Sequence, residues 1–71
     1  MNSHRPEREV RLAVERDQEV LVVFGDGSVL RARPLAASGE SFTCVVVGRP
    51  SEVWYRDVHH IVRVRRSLEA L

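Results

Sequence analysis

Glu19-Val20-Leu21-Val22-Val23-Phe24, then Gly25-Asp26-Gly27, then Ser28-Val29-Leu30-Arg31-Ala32-Arg33-Pro34-Leu35-Ala36 is the stretch whose reading decides the fold. Two apolar runs rich in β-branched side chains flank a three-residue turn with two glycines, and glycine supplies the positive φ that a tight reversal demands. The reading is a β-hairpin. The first run has no polar residue after Glu19, as expected of a strand covered on both sides or lying against a helix. In the second, Leu30 and Ala32 share one face while Arg31 and Arg33 share the other. Pro34 cannot donate to a ladder, so it marks a bulge, a bend or an edge position. A sharply bent second strand is what a small barrel needs to pass from one sheet to the next.

Working towards the C-terminus, the theme of short strand, polar turn, short strand repeats. Ser38-Gly39-Glu40-Ser41 reads as a turn, residues 42–47 as a third strand, and Gly48-Arg49-Pro50-Ser51 as the next turn. A fourth strand is expected over 52–56, with Val53 and Tyr55 on one face and Trp54 on the other. Asp57-Val58-His59-His60 reads as a single helical turn, and a fifth strand over 61–66 sets Val62 and Val64 against Arg63 and Arg65.

Working towards the N-terminus, residues 1–6 read as a flexible start. Pro6, Glu7 and Glu9 suit the first turn of a helix, where a missing N–H costs nothing and acids meet the positive end of the dipole. A helix over 7–17 would carry a narrow apolar stripe of Val10, Ala13 and Val14. The competing pattern, Val10, Leu12 and Val14 at period two, is that of a strand. The expected fold is mainly β: one domain over 7–66 made of an N-terminal helix and a small, strongly bent, five-stranded antiparallel barrel, closed into one cup over 20–64, with a tail at 67–71.

A chain of 71 residues buries only about 60% of its unfolded surface, so its stability margin is thin. With one cysteine, Cys44, it has no internal disulfide, and self-association is the expected remedy. Eleven basic residues, all arginine, face ten acidic ones, so no global field draws in nucleic acid. Arginine nevertheless offers a planar fork for phosphate and a face for stacking. The chain has no long apolar run and no leader pattern, which, with an unpaired cysteine, gives the expectation of a cytoplasmic protein without a membrane partner.

The order of elements, the Asp26-Gly27 turn and the segment Val53-Trp54-Tyr55-Arg56-Asp57-Val58-His59-His60-Ile61-Val62 together resemble the Sm-like fold, especially the Hfq-type bacterial RNA-binding proteins. In that family an aromatic, a basic and a small apolar residue occupy the turn before the last strand. The resemblance implies a homo-oligomer that binds single-stranded RNA in post-transcriptional regulation. Where Hfq-type proteins carry a histidine lining a uridine pocket, this chain has Asp57, and its histidines stand at 59 and 60. A weaker resemblance, carried by Asp26-Gly27-Ser28-Val29-Leu30-Arg31-Ala32, is to the Rho-binding antiterminator family. It implies a protein-binding module acting on a termination factor.

Candidate RNA-binding residues are Tyr55, Arg56, His59, His60, Arg63, Arg65, Arg31 and Arg33; the arginines could form a stripe along a phosphate backbone. The plainer alternative pairs them with Glu52 or Glu40 on neighbouring strands. Trp54, with Val53 and Phe42, is a candidate subunit contact, an exposed aromatic serving either a protein interface or base stacking. Adjacent histidines point in different directions, so His59 and His60, even with Asp57 and Cys44, do not spell a metal site. Cys44 sits in an apolar strand with no cation beside it, as an inert thiol would. No catalytic spacing or phosphate-cradling loop is present, so the sequence points to a binding module without catalysis or cofactor.

Overall fold

The computed structural model describes residues 5–64. A helix, α1 (Pro6–Arg16), precedes five strands: β1 (Val20–Phe24), β2 (Val29–Ala37), β3 (Ser41–Val46), β4 (Arg49–Trp54) and β5 (Val58–Arg63). A single 3-10 turn, Tyr55–Asp57, joins β4 to β5. The chain over 6–16 is thus helical, and the period-two alternative for it falls away. Pro6 sits in the first turn with Glu7 and Glu9, and Val10 and Ala13 are buried on the stripe the spacing defines. Asp17 ends the helix in the left-handed region at φ 54°, its N–H returning to the carbonyls of Ala13 and Val14.

The strands form one antiparallel sheet in the order β4-β3-β2-β1-β5. Its bend is made in β2. The first half of that strand pairs with β1 (Val20 opposite Ala32, Val23 opposite Val29), and its second half pairs with β3. Where the halves meet, Pro34 faces Cys44 and Ala36 faces Thr43, leaving Leu35 as an extra residue. Pro34 therefore marks a bulge, which spares the ladder a missing donor and turns the strand. The core gathers under that bend: Val10, Ala13, Val20, Val22, Ala32, Phe42, Cys44, Val53 and Ile61.

Three expectations need correction. The sheet is bent but not closed: β4 and β5 are its two edges and are not neighbours in it. Within the sheet, β3 lies between β2 and β4. The turn before β4 is the two-residue pair Val47-Gly48, at φ 52° and 78°, with Val46 opposite Arg49. β4 consequently runs over Arg49–Trp54 rather than 52–56, and carries Pro50, which an edge strand tolerates. Finally, the helical turn comes earlier, at Tyr55–Asp57, and both histidines belong to β5. There Val23 faces His60 and Phe24 faces Val58, so His59 is a bulged residue. The expected positions of Arg65, Arg66, the tail and most of the N-terminal start lie outside the described residues.

Candidate functional site

The short turn at Tyr55–Asp57 is suspended between two other turns. The Tyr55 N–H donates to the Glu40 carbonyl at 3.0 Å, and the Gly25 N–H donates to the Asp57 carbonyl at 3.1 Å. The β1–β2 reversal is itself pinned: Asp26 Oδ1 accepts from the Ser28 N–H at 2.9 Å and its hydroxyl at 2.7 Å. These side-chain and backbone bonds hold the Asp26 carboxyl below its ordinary value.

Alternation along β4 then sorts the aromatics. Val53 points into the core, Trp54 is 38% exposed, and Tyr55 turns back inside. The Tyr55 ring packs against Phe42, with centroids 5.6 Å apart. Its hydroxyl is buried without a hydrogen-bond partner among the described residues. Burial, and secondarily the Glu7 carboxylate, pushes that hydroxyl above its ordinary pKa, with Arg11 pulling the other way. Tyr55 is thus an anchor for the corner, while the outward surface belongs to Trp54 and Arg56.

The Arg56 guanidinium carbon lies 5.4 Å from the centre of the Trp54 ring, within cation–π range. Among the described residues no carboxylate closes on Arg56. Arg56 also forms the wall between two clefts. One, of about 380 Å³, is lined by Gly39, Glu40, Trp54, Tyr55 and Arg56. The other, of about 500 Å³, is lined by Phe24, Gly25, Asp26, Arg56 and Asp57.

The remaining candidate arginines are placed differently. Arg31 pairs with Glu19 at 2.7 Å and Arg33 with Asp17 at 2.8 Å, at the mouth of a hollow of about 470 Å³ that also takes in Arg16, Gln18 and Val64. Arg63 pairs with Glu9 at 2.8 Å and reaches Gln18. The expected partners Glu52 and Glu40 are not used: Glu52 accepts from the Ser41 hydroxyl instead, at 2.7 Å. The exposed pairs contribute little stability, but each places a negative charge against its guanidinium, which cancels most of the local pull on phosphate. Arg31, Arg33 and Arg63 therefore do not join Arg56 in a continuous free stripe.

Phe42 and Val53, named for a subunit contact, belong to the core of the single chain. His59 is exposed on its bulge and His60 half-buried. Cys44 is buried, and burial pushes its thiol pKa up, away from the reactive thiolate. Among the described residues, no three His, Cys, Asp or Glu side chains are grouped to hold a metal ion. No helix there is long and apolar enough to cross a membrane. Glu40, named only as a possible ion-pair partner, and Asp26, named only as a turn residue, line the two clefts, because local spacing does not show that both turns meet at Arg56. No protein-family model matches the chain, and no curated protein is significantly similar to it in sequence.

Proposed function

We propose that the chain is a small non-catalytic binding module of Sm-like type that self-associates and takes single-stranded RNA, in post-transcriptional regulation, at the Trp54–Arg56 corner. The observation that carries this reading is the Arg56 guanidinium lying over the exposed Trp54 ring, with no carboxylate among the described residues holding it. A stacking surface beside a cation free to meet phosphate is the minimal equipment for sequence-tolerant binding of a single strand. Self-association is supported by β4, which ends the sheet on one side and so offers a strand for pairing with a second copy. The address proposed for such a module is the cytoplasm.

Anisotropy of a labelled oligoribonucleotide, at low and moderate salt, tests the RNA assignment. Binding at micromolar protein that weakens with salt and is lost in Arg56→Ala supports it; absence of binding refutes it. A light-scattering mass of one chain at high concentration would refute the self-association.

The second reading is a protein-interaction module, acting on itself or on a transcription or termination factor, with no nucleic-acid role. The pairing of Arg31, Arg33 and Arg63 with carboxylates favours it, since it takes those three guanidiniums out of the expected phosphate-binding stripe. Pull-down with and without nuclease separates the two: partners that survive nuclease support this reading, and partners that all disappear exclude it.

A further inference from the structure

We infer that the cleft between Trp54 and Glu40 selects guanine among the bases; this rests on the RNA reading of the same corner. The cleft, about 380 Å³, brings the Trp54 ring, the Arg56 guanidinium and Glu40 together in one lining with Gly39 and Tyr55. Gly39 adds no side chain to that lining, and a Cβ built on it would meet nothing within 4 Å. The Glu40 backbone is fixed by the bond its carbonyl accepts from the Tyr55 N–H. Its exposed carboxylate, by contrast, has no hydrogen-bond or ion-pair partner among the described residues.

A carboxylate is an acceptor only. Guanine is the one common base whose Watson–Crick edge offers two adjacent donors, N1–H and the N2 amino group, to the two oxygens of one carboxylate. Adenine and cytosine place a ring acceptor beside their single amino donor, and uracil flanks its one N–H with two carbonyls. Each would set a lone pair against the Glu40 oxygens, which costs more than a missing bond. In the bound state the base takes the Trp54 face now covered by Arg56, the guanidinium turns out to the phosphate, and Glu40 reads the base edge.

The test uses the full chain and hexauridylates carrying one central guanosine, inosine, adenosine or uridine, with binding followed by anisotropy. The guanosine hexamer should bind roughly tenfold tighter than the uridine one, the scale of a good bidentate contact. Inosine, which lacks the N2 amino group, should lose most of that gain, and Glu40→Gln should level all four while binding persists. Equal binding of all four by the unaltered chain overturns the guanine assignment and leaves the RNA reading standing. No binding of any hexamer overturns both.

Discussion

The Nε of Arg63 lies 2.8 Å from Oε1 of Glu9, across 54 residues of sequence, with the two side chains only 19% and 27% exposed. This pair clamps the last strand to the helix and takes Arg63 out of any phosphate-binding surface. Because both groups are largely shielded, removing one strands the other. Glu9→Gln should cost about 1–2 kcal/mol in urea unfolding. Glu19→Gln, which loosens the more exposed pair with Arg31, should cost roughly 0.5 kcal/mol or less. Equal losses would show that the clamp has no special role.

The β3–β4 turn carries a strained residue. Val47 is β-branched, 95% exposed and held at φ 52°, a conformation that costs such a residue about 1–2 kcal/mol. An Asn-Gly pair suits a two-residue turn of this kind. Val47→Asn should therefore raise stability by about 1 kcal/mol in chemical denaturation, and a loss would mean that the valine side chain has a partner in solution.

Tyr55 buries a hydroxyl that no group among the described residues satisfies. Tyr55→Phe keeps the packing on Phe42 and should leave stability unchanged or raise it by about 1 kcal/mol. It should also flatten the alkaline limb. With its pKa raised in the folded state above the ordinary 10.0, the tyrosine's contribution is complete below 10.0 and is lost as pH climbs towards the folded value. A clear destabilisation by Tyr55→Phe would place a partner on that hydroxyl in solution.

Asp26 supplies the opposite limb. Its carboxyl is held below the ordinary 3.8 by the Ser28 side-chain and backbone bonds. The stabilisation it brings is complete above 3.8 and disappears as pH falls through the lower folded value. NMR titration should find a midpoint below 3.8 that returns to normal in Ser28→Ala to the extent that the hydroxyl contributes; an unshifted midpoint in the parent chain would contradict the turn geometry.

How legible all this was depends on range. The first hairpin could be read because the Gly25-Asp26-Gly27 reversal is local; the helix was legible only as one of two patterns for 7–17, and the Pro34 bulge only as one of three ways to accommodate a missing donor. The start of β4 was hidden because Gly48 and Pro50 both signal a turn, and only the edge position of that strand makes Pro50 harmless. The start of β5 was hidden because the His59 bulge breaks the alternation. The openness of the sheet was not legible either, since it depends on which strands meet. The fate of the arginines was least accessible: their carboxylates lie 12, 16 and 54 residues away. Of the candidate corner, the sequence marked Trp54, Tyr55 and Arg56 but not the turns that face them.

Trp54 is the single tryptophan of the chain, so its emission reports directly on the corner. Adding a single-stranded oligoribonucleotide should quench it saturably at micromolar concentrations, less so as salt rises, and the salt-sensitive part should vanish in Arg56→Ala. Emission that stays constant while RNA is raised well past that range would contradict the assignment of this corner to nucleic acid.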